Sequence, residues 1–221
     1  MYLNCKTYFS FRYGTYATEE LVKAAADAGA KALAITNINS TCDAWDFVHF
    51  CREQNIKPIV GVEVRNDDEL CYVLLAKNNK GFHDIHLFLS VHLQDKKHFP
   101  TRFPFNDDII VIYPFATYNL QPEQPIIQKN GNQNLKKTLE QKQNTIAIKQ
   151  SNNTAIAQYN NNEYIGVQLH EATKLYSIPV AQYNQNFVVL HPVSFQNKLY
   201  HNTHRLLRAI DKNILLSKQQ P

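Results

Sequence analysis

Along most of the chain, short unbroken apolar runs alternate with apolar stripes at helical spacing, a pattern that predicts strands and helices in turn. Leu3 to Cys5 is a brief apolar start. Thr18-Glu19-Glu20 offers an N-cap and an acidic first turn to a helix carrying Leu21, Ala24, Ala25 and Ala28 on one face, with Gly29 ending it. Ala32 to Ile35 reads as a buried parallel strand, Ser40 or Thr41 caps a second helix with Trp45, Val48 and Cys51 inward, and Ile59 to Val62 is the next strand. These are two β-α-β crossovers in tandem. A strand at Leu70 to Leu75, a turn at Asn78 to Gly81, a helix through Phe82, Ile85, Phe88 and Leu89, and a strand at Ile109 to Ile112 follow.

Between Asn119 and Asn162 the composition turns to Asn and Gln with scattered Lys, broken by an apolar alternation at Ile146 and Ile148. This predicts a long polar excursion within one domain spanning residues 1–221. Regular structure is expected to resume with Tyr164 to Val167, a short helix from Glu171, a strand at Ile178 to Ala181, and a closing amphipathic helix carrying Leu199, Leu206, Leu207 and Ile210. Such alternation builds an open doubly wound sheet or a closed barrel. The first strand runs into the aromatic turn Thr7 to Gly14 instead of a glycine-rich phosphate loop, which disfavours a dinucleotide or P-loop fold. In a parallel barrel, functional side chains emerge at the C-terminal strand ends, here Asn4 to Lys6, Thr36 to Asn39, Glu63, and Asn184 to Asn186.

Composition adds bounds. A chain of 221 residues with 44% hydrophobic content can bury a substantial core. The start lacks the layout of a secretory signal and no apolar run is long enough to span a bilayer, so a cytoplasmic location is the expectation. Cys5, Cys42, Cys51 and Cys71 form no C-x-x-C pair and are expected as buried free thiols. A net charge of +4 permits nucleic-acid contact without demanding it. The tail concentrates that excess, with Lys198, Arg205, Arg208, Lys212 and Lys218 against Asp211, and reads as a solvated helix face or a phosphate or partner contact.

Five segments carry a resemblance: Leu3 to Ser10, Ala32 to Asn37, Ile56 to Val64 with its Lys-Pro-Ile-Val-Gly-Val-Glu run, Leu75 to Asn78 with Gly81, and Ile178 to Ala181. Together, in this order, they resemble the PHP (polymerase and histidinol phosphatase) family, most closely the N-terminal PHP domain of bacterial replicative DNA polymerase III alpha subunits. The resemblance implies a distorted parallel (β/α)7-type barrel, similar to a TIM barrel. It also implies a cluster of divalent metals at the mouth, held by His-x-His, Asp-His, an acidic residue and Asp-x-His motifs. Those motifs align on Asn4 and Lys6, on Asn37 and Ile38, on Gly166, and on Asn184 and Asn186, leaving Glu63 as the one ligand-type side chain.

Metal clusters need carboxylates and neutral imidazoles with lone pairs at about 2.0–2.2 Å. Asn offers a neutral amide oxygen, Ile38 nothing, and Lys6 a positive charge. Two unit positive charges 4 Å apart repel by about 4 kcal/mol at an effective dielectric near 20. The expectation is therefore a vestigial site with no catalytic residue, no metal and no cofactor. Lys6 either pairs with Glu63 and the Asn oxygens in a polar plug or points into solvent. By resemblance, the module serves DNA replication as a structural and docking part of the polymerase, its partners the remainder of the alpha subunit and a proofreading exonuclease, with DNA reached indirectly. The alternative is a metal-dependent phosphoesterase or 3′–5′ exonuclease using Glu63 with Asp43, Asp67, Asp68, His83 and His170. A third reading is a DNA-binding module using the basic tail. The pairs His83/His86 and His201/His204 are expected to be surface or packing histidines.

Overall fold

Strand β1, Tyr2–Cys5, starts a sheet that the computed structural model describes over residues 1–104, 106–115, 161–177 and 186–218. Helix α1, Thr18–Asp27, follows the aromatic turn; its N-cap is Ala17, whose N–H donates to Glu20, while Gly29 takes a left-handed φ of 71° just past its end. The Thr18 hydroxyl expected to cap this helix instead donates to Asp43. Then come β2 (Ala32–Ile35), α2 (Ala44–Glu53) and β3 (Lys57–Asn66). In α2 Phe47 and Cys51 are buried, but Trp45 is 85% exposed, against the expectation that it faces inward. Ala44 and Phe47 set the buried face, and Trp45 falls on the opposite side of the turn.

Strand β3 turns back through Asp67, φ 52°, into β4 (Glu69–Ala76), which pairs antiparallel with it. Helix α3 (Asn79–Gln94) is capped by the Asn78 side chain, which accepts from Gly81 N–H. Strands β5 (Ile109–Pro114), β6 (Glu163–Val167) and β7 (Phe187–Val189), with 3₁₀ turns at Leu169–Ser177, and helix α4 (Lys198–Asp211) complete the order. The seven strands pair in sequence order, all neighbours parallel except where β4 meets β3 and β5. The chain just after β7 returns to β1: Lys6 N–H donates to Val193 O and Val193 N–H to Asn4 O, both at 2.8 Å, which closes the sheet into a barrel.

The expected barrel-type α/β fold is thus what the chain adopts, with one strand reversed. Ala34, Val73, Leu75, Ile112 and Leu190 fill the interior, and separate layers lie under α1 and α2 and under α3. Most of the excursion and the strand expected at Ile178 to Ala181 lie outside the described residues. Cys5, Cys51 and Cys71 are buried free thiols as expected; Cys42 is exposed. Among the described residues no helix is long and apolar enough to cross a membrane.

Helix α4 departs most from expectation. Leu199, Leu206, Leu207 and Ile210 were expected as the apolar stripe of an amphipathic helix; Leu199, Leu206 and Ile210 are 70%, 49% and 57% exposed, Leu207 is half-buried, and Arg208 and Ala209 are the buried residues. The inward contacts are polar. Arg208 bonds Asp68 and Asp211, Lys212 pairs with Asp68 at 3.1 Å, and the His204 Nδ1–H donates to Tyr13 O at 2.5 Å. Charge pairing with the β3–β4 turn has overridden the apolar stripe.

Candidate functional site at the barrel mouth

Strand β1 ends by placing Asn4 and Lys6 on the same side, two residues apart, as the period of a strand requires. Lys6 is a lysine with 0% exposure, one of the largest fully buried side chains among the described residues. Its Nζ donates to Glu63 Oε2 at 2.7 Å and to Asn4 Oδ1 at 2.5 Å, and lies 5.8 Å from the centre of the Tyr13 ring. Glu63 comes from the middle of β3, which extends beyond its expected end, and is 1% exposed. Its other oxygen accepts from Arg65 Nε at 2.6 Å. Arg65 in turn stacks on Tyr13, 4.8 Å from the ring centre, and Arg208 reaches the same ring at 5.2 Å.

Burial pushes the Glu63 carboxyl up, but the Lys6 ammonium and the Arg65 guanidinium outweigh it and hold the group below the ordinary carboxylate range. Glu63 is therefore an anion at neutral pH with both oxygens turned to cations. Asn4 Oδ1 also accepts from Thr36 Oγ1 at 2.9 Å.

A second polar knot lies beside the first. Asn37 Oδ1 accepts from Thr7 N–H at 2.8 Å and Ser10 Oγ at 2.7 Å, and its Nδ2 donates to Asp43 Oδ1 at 2.8 Å. Asp43, 1% exposed, also accepts from Thr7 Oγ1 at 2.7 Å and Thr18 Oγ1 at 3.0 Å. These bonds pin the aromatic turn across β2 and the start of α2. Ile38 is half-buried, bridges Glu63 through its backbone, and donates its N–H to Ser10 Oγ at 3.1 Å.

Of the eight positions singled out from the sequence, Asn4, Lys6, Asn37, Ile38 and Glu63 meet at the mouth. Gly166 sits near the end of β6, where an added Cβ would fall 2.6 Å from Leu190 Cδ2 and 2.9 Å from Ile112 Cγ2. Core side chains fill that place, so an acidic side chain has no room there. Asn186 is not at the mouth: it precedes β7, and its side chain donates to Glu163 O at the opening strand end of β6. Asn184 lies outside the described residues. The mouth position of the last strand belongs to Val193 and Ser194, which the sequence reading missed. The apolar run Phe187 to Leu190 was the signal for that strand.

The alternative ligand set does not assemble. Asp43 is committed to the hydroxyl knot, Asp67 to a hairpin turn, Asp68 to Arg208 and Lys212, and His83 and His170 are exposed. His201 and His204 pack edge or face against Phe195 and Tyr13. Among the described residues no three His, Cys, Asp or Glu side chains gather as a metal site would require.

The PHP domain family profile matches residues 3–141. The DNA polymerase III subunit alpha of Pasteurella multocida is 33% identical over 96 residues, 41% of this chain and 8% of that protein. Its counterpart in Mycoplasma genitalium is 36% identical over 85 residues, 36% of this chain and 9% of that protein. The match thus spans less than a tenth of these relatives. A candidate metal-dependent phosphoesterase from Bifidobacterium adolescentis overlays with a TM-score of 0.38 at 13% identity, covering 81% of this chain and 82% of that one, too loosely to bear on function. With more than half of its length matched by the family profile, the chain belongs to the PHP domain family.

Proposed function

We propose that this is a PHP module whose metal site has been replaced by a buried ion pair and which acts as architecture and docking surface within a replicative DNA polymerase III alpha subunit. The observation that carries this reading is Lys6: a sealed ammonium 2.7 Å from the buried Glu63 carboxylate. A divalent cation needs lone pairs turned toward it. Here the Glu63 lone pairs point at Lys6 and Arg65, the Asn4 oxygen points at Lys6 and Thr36, and the ammonium supplies the positive charge. The residues present do not fit a metal cluster. The similarity to DNA polymerase III alpha subunits of Pasteurella multocida and Mycoplasma genitalium supports the parent context, with the remainder of such a subunit and a proofreading exonuclease as partners and DNA reached indirectly. No polymerase carboxylates are assigned to this chain.

The test is hydrolysis of a generic phosphodiester and of a single-stranded DNA 3′ end by the purified chain with added manganese or zinc. Rates equal to those of the metal alone are expected. Turnover that disappears in Glu63→Ala would instead establish the phosphoesterase or 3′–5′ exonuclease reading.

A further inference from the structure

A globular protein's surface helix ordinarily turns its apolar stripe to the core and its charges to water. Helix α4 does the reverse. Its inward side carries His204 and Arg208, clasped to Tyr13, Asp68 and Asp211. On the opposite side, Leu199, Leu206 and Ile210 recur at i, i+7 and i+11 and stand in solvent, continued past the helix by exposed Ile214, Leu215 and Leu216. Polar contacts hold the helix to the barrel and keep that stripe pointing outward.

We propose that the outer stripe of α4 is a docking surface for an apolar helical segment of another polypeptide whose flanks carry Asp and Glu. Charge complementarity selects the occupant. The rim of the stripe carries exposed Lys198 and Lys218; the one acid of the helix, Asp211, is already engaged by Arg12 and Arg208. A second copy would set the same lysines against these, and like charges across an interface are strongly unfavourable. The stripe on the helix is wholly aliphatic, without the Trp or Phe that seats a helix in a membrane interface. A helix laid along i, i+7 and i+11 anchors, with carboxylates meeting the lysine rim, satisfies both parts. This surface deepens the docking role proposed above and rests on it, but it is read by peptide binding, while that reading fails on hydrolysis, so the two failures are distinguishable.

The experiment uses the full chain at physiological salt and two fluorescent helical peptides with the same leucine stripe, one flanked by Glu and the other by Lys. The Glu-flanked peptide is expected to bind at least about tenfold more tightly. Leu206→Glu with Ile210→Glu should abolish that binding while circular dichroism stays unchanged, since both positions are exposed. Independently, Lys198→Glu with Lys218→Glu should reverse the preference between peptides. Equal affinity for both peptides, no binding, or an unchanged preference after charge reversal overturns the proposal. So does a dimer in sedimentation that the leucine substitutions dissolve, or binding to anionic phospholipid vesicles in preference to the peptide.

Discussion

Removing the Lys6 ammonium tests whether it holds the mouth together. Lys6→Met deletes the charge at similar length and leaves Glu63, 1% exposed, with Arg65 as its remaining cation. Breaking one side of a buried pair costs about 3–5 kcal/mol. Arg65 still bonds the other carboxylate oxygen, so the lower end, about 3 kcal/mol, applies to Lys6→Met. Glu63→Met strands two cations at once, Lys6 and Arg65, and belongs at the upper end, about 5 kcal/mol. The double variant removes both charges of the pair, so its loss should fall short of the sum by at least about 2 kcal/mol. Equilibrium urea unfolding reads this directly: with a slope near 3 kcal/mol/M, Lys6→Met lowers the midpoint by about 1 M. A loss below about 1 kcal/mol for Lys6→Met, or additive single losses, would refute the pairing as the element that replaces a metal.

Other outcomes follow from the same geometry. Because the folded Glu63 carboxyl lies below its ordinary value of 4.5, the folded state binds fewer protons than the unfolded chain; this stability is full above about pH 4.5, fades as pH falls through the folded value, and its share of the acid slope should vanish in Glu63→Gln by denaturation midpoints. His204 is lowered by burial and by nearby Arg208, His201 and Arg65 despite its bond to Tyr13, so its contribution is present above about pH 6.5 and is lost on acidification below that; His204→Asn should flatten that limb. Gly166→Ala should cost about 1–3 kcal/mol through contact with Leu190 and Ile112, and Gly166→Asp more, which thermal unfolding will show; a neutral Gly166→Asp would contradict the packing. Arg208→Ala, which leaves Asp68 with Lys212 alone and Asp211 with Arg12 alone, should speed amide exchange across α4 while leaving β1–β3 protected, and added salt should act in the same direction.

The β/α alternation was legible because buried strands and stripe-bearing helices leave different periods, and the approach of Lys6 to Glu63 followed from strand-end placement once a barrel was assumed. Three features were not legible, each for a physical reason. Trp45 was assigned inward on hydrophobicity alone, although Phe47 and Cys51 already fill the buried arc of its helix. The orientation of α4 depends on Asp68, a residue far away in sequence, and no local pattern encodes an ion pair across that distance. Asn186 was placed at the mouth by motif alignment, but it stands before the start of β7, Phe187–Val189, and the chain reaches the mouth only beyond that strand, at Val193.

The closure between β1 and Val193 links two otherwise distant parts. The amide that bonds Val193 O belongs to Lys6, and the backbone leaves Val193 for Ser194, whose carbonyl is gripped by Thr15, before entering α4 at Lys198. The chain that leads into α4 is therefore tied to the same peptide unit that aims the ammonium at its carboxylate. Helix α4 and the charge plug are thus joined through fewer than ten residues of chain, so displacing the helix is expected to disturb the placement of Lys6.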